Sequence, residues 1–170
     1  MTTETDLTRR IETLETTDAV REVRHRFNEL LDSALESSSE EDLVALAGLL
    51  TRDFSWKSAL HGEVTTAEAF AQLVRQRAAS CDMSFRIVAS DLHHPHETAD
   101  RVTTTWSALT MLTVNGQQLW VASAHNDTYV RIDGSWLLAA VDTDYKFVCR
   151  YEEGWSDKRF VEKELLDLVL

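Results

Sequence analysis

The residues best suited to chemistry are Ser123, His125 and Asp127, spaced two apart within VASAHNDTYV. In an extended strand, side chains two apart share a face. This spacing therefore points a hydroxyl, an imidazole and a carboxylate in one direction. Imidazole titrates near neutrality, so His125 is the natural proton-transfer group. Asp127 is placed to orient it, and Ser123 or Tyr129 to hydrogen-bond a developing oxyanion. The plainer alternative is a histidine satisfied by its neighbours on a partly solvated sheet face. Asp32 offers a second carboxylate that could orient His125. At roughly 100° per residue it lies off the apolar stripe of Val20, Phe27 and Leu31, so periodicity alone makes it an exposed helix carboxylate.

Other constellations carry weaker chemistry. Trp106 and Tyr129 could stack on a flat ligand or simply pack in a core. His93, His94, His96 and Glu97 could ligate zinc, but they flank Pro95, and a turn is the ordinary reading. Asp142 and Asp144 share a strand face; acid–base work would require burial of one of them, and an exposed strand end is the simpler expectation. No Gly-rich phosphate loop or nucleophile elbow is present, and the reading expects neither metal nor cofactor.

The elements that must position these groups centre on Trp106 to Val141. Asn115-Gly116 and Asp133-Gly134 are type I′ hairpin dipeptides flanked by apolar, aromatic and β-branched residues, which predicts a three-strand meander. Its middle strand places Leu119, Val121, Ser123, His125, Asp127 and Tyr129 on one face. Trp120, Ala122, Ala124, Asn126, Thr128 and Val130 take the other. Neither face is cleanly apolar, so the first is either solvated or the floor of a polar-lined cavity.

Around the meander, residues 1–17 read as a polar N-terminal arm. Helices are predicted over Asp18–Leu35 and Glu40–Leu50, then a short strand over Phe54–Ser58 and a loop containing Gly62. A third helix, capped by Thr65 or Thr66 with Glu68, ends near Ala79. A strand over Met83–Asp91 sets Phe85, Ile87 and Ala89 on one face, and a helix is predicted over 156–170. Helices segregated from an antiparallel sheet define an α+β class.

At 170 residues the chain reads as a single domain over 1–170. A net charge of −12 argues against nucleic acid and anionic membranes as partners, since both attract clustered Lys and Arg. No apolar run approaches the roughly 20 residues of a membrane span, and MTTETDLTRR is no signal peptide. A cytoplasmic protein with reduced thiols at Cys81 and Cys149 is the expectation.

This element order resembles the nuclear transport factor 2-like superfamily, and more narrowly its SnoaL-like and scytalone dehydratase-like branch. The matching residues are Ile132-Asp133-Gly134-Ser135-Trp136, Tyr145 to Trp155, and Asp32 on the first helix. The resemblance implies a cone: a curved antiparallel sheet wrapped around three N-terminal helices, with a central pocket and a C-terminal helix. It also implies a cofactor-free dehydratase, cyclase or isomerase of secondary metabolism, acting by proton transfer on a hydrophobic, polyketide-like or polycyclic molecule. In that branch an aspartate at the position of Asp32 works with a histidine on the strand after the third helix. Here Ser84-Phe85-Arg86 stands at that position, and Trp106 stands near a second family histidine. The resemblance places Ser123 and His125 in the pocket; Trp106, Tyr129, Phe85, Phe27 and Trp56 are expected to bind substrate with Ser123, and the resemblance implies a homodimer or homotrimer paired through the sheet's outer face. The alternative is a non-catalytic ligand-binding or scaffold subunit of the same fold.

Overall fold

The computed structural model describes the backbone of residues 4–98 and 100–170, and the side chains of 6–89, 98 and 100–170. In chain order the elements are α1 (Glu4–Ser37), α2 (Glu40–Ala47), β1 (Leu50–Ser58), β2 (Gly62–Thr65), α3 (Ala67–Ala78), β3 (Cys81–Thr98), β4 (Arg101–Val114), β5 (Gln117–Ile132), β6 (Ser135–Arg150) and α4 (Lys163–Leu166). The strands form one six-stranded sheet in the order β2-β1-β6-β5-β4-β3. β3 to β6 are antiparallel throughout, while β1 joins β6 in parallel, making the sheet mixed.

Both hairpins turn where the dipeptides demand. Asn115 and Gly116 have φ of 49° and 73°, Asp133 and Gly134 of 50° and 84°, the two positive angles of a type I′ turn. The flanking pairs Val114↔Gln117 and Ile132↔Ser135 leave two-residue loops. Thr66 caps α3 by accepting from Ala69 N–H at 3.2 Å, and Ser39 caps α2 by accepting from Asp42 N–H at 3.3 Å.

One core lies between α1–α3 and the concave sheet face, built on Val20, Phe27, Leu31, Phe54, Phe70 and Leu138. A second gathers Val121, Tyr145, Val148, Val161, Leu165 and Val169 under the C-terminal segment. On β5 the buried positions are Leu119, Val121, Ser123, Asp127 and Tyr129, with His125 half-buried in phase, so the alternation read from the sequence holds. Two register shifts on β6, opposite Ala122/Ser123 and Thr128/Tyr129, insert an extra residue each. They bend the sheet around the helices.

Several expectations fail in the flanking segments. Residues from Glu4 onward belong to α1 rather than to an arm. Gly62 opens an edge strand, not a loop. β3 runs through the expected His93–Glu97 turn to Thr98; those side chains, and with them the zinc alternative, lie outside the described residues. Only Lys163–Leu166 of the expected closing helix is helical. The reason is upstream: Arg159 and Val161 exchange backbone hydrogen bonds with Val148 at 2.8 Å each, and that bridge requires extended chain.

Candidate functional site

Trp106, His125 and Thr143 are direct cross-strand partners on β4, β5 and β6, so they form one row across the inner sheet face. Trp106 and His125 stack with ring centroids 3.9 Å apart at 8°. His125 Nε2 lies 2.8 Å from Ser123 Oγ, and Nδ1 lies 3.2 Å from Thr143 Oγ1. Thr143 in turn accepts the Trp56 indole N–H at 3.1 Å. Both ring nitrogens are therefore held by hydroxyls rather than by a carboxylate. Burial, followed by the Arg24 and Arg86 guanidiniums, holds the imidazole pKa well below its usual range, so His125 is neutral at neutral pH.

Asp127 does not orient His125, contrary to the sequence expectation. Its Oδ2 pairs with the Arg24 guanidinium and accepts from Trp106 Nε1 at 2.6 Å and from the Tyr129 hydroxyl at 3.1 Å. Arg24 Nε donates to that same hydroxyl at 2.9 Å, and its guanidinium sits 4.4 Å from the Trp106 ring centroid. Tyr129 is fully buried in this cluster and is not among the cavity-lining residues. Its expected ligand-stacking role gives way to core packing, because its hydroxyl is consumed by the ion pair.

Asp32 likewise makes no contact with His125. Asp32 Oδ1 accepts from Ser84 Oγ at 2.8 Å and lies 3.4 Å from Arg86 Nη2. Arg86 Nε donates to Thr110 Oγ1 at 3.3 Å. Where the resemblance expects a histidine, the chain thus offers a serine hydroxyl and a guanidinium. Phe85, between them, has the opposite parity: it is 55% exposed on the outer face with Ile87, so it cannot line the pocket.

Between helices and sheet lies a cavity lined by Arg24, Phe27, Asn28, Leu31, Trp56, Phe70, Arg86, Trp106, Thr110, Ser123, His125, Val141, Thr143 and Leu170. About 30 Å³ of it is open to the centre of a water-sized molecule, where a single water needs roughly 10–15 Å³. Phe27, Trp56, Trp106, Ser123 and His125 are thus brought together, while Phe85, Tyr129, Asp32 and Asp127 are not in its lining. Asp142 and Asp144 face outward, where they border an outer-face depression of about 360 Å³. There Asp142 pairs with Lys57 at 3.0 Å and Asp144 with Lys146.

Sequence reasoning missed Arg24, Asn28, Arg86 and Thr143. One signal was available. Arg24 and Asn28 fall in phase with Val20, Phe27 and Leu31, and polar residues inside a buried stripe need partners or a ligand. Among the described residues, no three His, Cys, Asp or Glu side chains gather as a metal site, and no helix is long and apolar enough to cross a membrane.

Comparison with known proteins follows this geometry. The family described as SnoaL-like domain matches residues 12–142. Similar solved structures include a scytalone dehydratase candidate from Novosphingobium aromaticivorans, 13% identical over 82% of this chain and 90% of that one, with a TM-score of 0.72. Another is the type 3 hexachlorocyclohexane dehydrochlorinase LinA from Novosphingobium barchaimii, 15% identical over 89% and 98%, TM-score 0.68. A third is an NTF2-like protein with a cystatin-like fold from Novosphingobium aromaticivorans, 21% identical over 86% and 92%, TM-score 0.69. At these identities the likeness establishes the fold alone. Among curated proteins, none matches the chain by sequence.

Proposed function

We propose that this chain, which belongs to the SnoaL-like domain family, is a cofactor-free lyase or isomerase that moves a proton on a small hydrophobic carbonyl compound held in the inner cavity. The observation that carries the reading is His125: neutral, stacked on Trp106, and bonded through Nε2 to a serine hydroxyl that lines the cavity. A neutral imidazole, kept so first by burial and then by nearby positive charge, can support a carbonyl's developing charge through the Ser123 hydroxyl without becoming an imidazolium. In the proposed step a carboxylate takes a proton from carbon, and the electron pair shifts onto the carbonyl oxygen. Ser123 and Arg86 hold that oxyanion, and His125 passes its Nε2 proton toward Ser123 as charge builds. Collapse of the enolate then expels a β-substituent or returns the proton at another carbon. Asp32 is the proposed base: it stands outside the cavity lining, beside the lining residue Arg86, so the step requires a bound substrate to draw that guanidinium onto its oxyanion and open the way to the carboxylate. Dehydration and dehydrochlorination, the reactions named for two similar structures, both remove a carbon-bound proton overall, which supports this class. A polyketide-like substrate and a place in secondary metabolism belong to the same proposal.

A generic assay tests it without the true substrate: exchange of the α-protons of small ketones for deuterium, followed by NMR. Wild type accelerates exchange, while Ser123→Ala, His125→Phe and Asp32→Asn each lower it by about 10²-fold or more. Exchange that is unaltered in all three variants removes the assignment.

One observation favours a second reading, a non-catalytic ligand-binding or scaffold subunit. The cavity's open space of about 30 Å³ is far below the roughly 300–1,000 Å³ of pockets that enclose drug-sized ligands. A polycyclic molecule would have to displace a lining side chain such as Leu170. Saturation binding without any proton exchange would decide for this alternative. We also propose self-association through the outer sheet face, as dimer or trimer, supported by exposed Phe85, Ile87 and Trp155 on a protein with few other exposed aromatics.

A further inference from the structure

The polar wall on the sheet side is made of hydroxyls, an imidazole, an indole and a guanidinium. Trp56 N–H donates to Thr143 Oγ1, which lies 3.2 Å from His125 Nδ1. In the tautomer with the ring proton on Nε2, Thr143 donates to Nδ1 and His125 to Ser123 Oγ, and the Ser123 hydroxyl proton then serves the cavity that Ser123 lines. The Arg86 guanidinium, whose side chain is 6% exposed, supplies further N–H groups to the same space.

On the opposite wall, α1 contributes one acceptor. Asn28 is 7% exposed and lines the cavity. Its Oδ1 is buried and has no hydrogen-bond partner among the described residues. A buried acceptor left without a partner costs stability, and Leu, with similar bulk, would fill this apolar stripe without that cost. We infer that Asn28 is a specificity-determining residue that accepts a hydrogen bond from a hydroxyl on the ligand, while Ser123 and Arg86 donate to a carbonyl oxygen of the same molecule. The inference rests on the reading of this cavity as a ligand site. It adds that the preferred ligand carries both an acceptor and a donor, and that the donor is read from the helix side.

The test uses acetone and hydroxyacetone, a pair differing by one hydroxyl and compact enough for this space, titrated against the full chain by heteronuclear NMR. Wild type binds hydroxyacetone about two- to tenfold more tightly than acetone, the range for one hydrogen bond, with shifts at the Asn28 side-chain amide. Asn28→Leu brings that ratio to about one, and its thermal unfolding shows whether the fold is retained. Asn28→Asp, which keeps an acceptor, keeps the preference. Equal binding of the two probes by wild type overturns the inference, as does a preference that survives in Asn28→Leu or no binding of either probe. Deuterium exchange separates this from the enzymic reading. Selective binding without exchange leaves Asn28's role standing and removes catalysis; exchange without selectivity does the reverse.

Discussion

Replacing Thr143 with Val removes one hydroxyl and keeps the shape of the side chain. That oxygen accepts the Trp56 indole N–H at 3.1 Å and lies 3.2 Å from His125 Nδ1. Trp56 is 4% exposed and Thr143 2%, so bulk water does not reach either bond, and only a water held in the small cavity that both line could replace one. An indole N–H only donates, while a hydroxyl has one proton and two lone pairs; in the proposed tautomer Thr143 gives that proton to Nδ1 and His125 keeps its own on Nε2. The valine therefore orphans a buried donor and a buried acceptor together. At about 1–3 kcal/mol for each, the expected loss is about 2–6 kcal/mol. For a chain of this size, roughly 2–4 °C per kcal/mol puts the fall in Tm at about 4–24 °C. Thr143→Ser restores the hydroxyl and should recover most of it. Thermal unfolding reads the stability, and long-range ¹H–¹⁵N NMR reads the tautomer directly. A wild-type ring protonated on Nδ1, or a valine variant melting within about 2 °C of wild type, refutes the reasoning.

Three further outcomes follow from the same geometry. Because His125 is held well below its ordinary value of 6.5, the unfolded chain takes up a proton near pH 6.5 that the folded chain refuses. Stability is therefore complete above that pH and falls below it, by at most about 1.4 kcal/mol per pH unit. His61 is lowered too, so His125→Phe should reduce the slope of urea-derived stability against pH by one proton without abolishing it; an unchanged slope contradicts the assignment. Asp127→Asn strands the buried Arg24 guanidinium and should cost about 3–5 kcal/mol, with Arg24→Met in the same chain recovering part of it; additive losses in the double variant would show that the two groups are uncoupled. Phe85→Glu, on an exposed side chain, should change stability by no more than about 0.5 kcal/mol while reducing the mass measured by light scattering to that of one chain.

The sheet was legible because its signals are local. Two dipeptides forced positive φ, and a period of two on β5 put Ser123, His125 and Asp127 on the inner face. What each of those groups touches was not local. Asp127 and His125 are two residues apart, yet the carboxylate binds Arg24, 103 positions upstream. The imidazole binds Thr143 instead, because β6 brings that hydroxyl directly opposite. β3 was read with the wrong face inward for a related reason. Phe85 and Ile87 are the apolar set, and hydrophobicity alone assigns such a set to the core. Burial of Arg86 becomes intelligible only once Asp32 and Thr110 are seen to receive it.

These pairings also account for how α1 is held. Arg24 and Asp32 sit about two turns apart, roughly 12 Å along the helix, with opposite charges. Each meets its complement on the sheet: Arg24 pairs with Asp127 on β5, and Asp32 with Arg86 on β3. A helix displaced by those two turns would bring Arg24 toward Arg86 or Asp32 toward Asp127, burying like charges together. Buried ion pairs add little net stability against a well-packed apolar alternative, but a mismatched one is severely destabilising. The reciprocal arrangement therefore fixes the axial position of α1 more than it strengthens its attachment. Asn28 lies between the two pairs on that helix. Its distance from the row of Trp106, His125 and Thr143 is thus set by the same two contacts that surround the imidazole with positive charge.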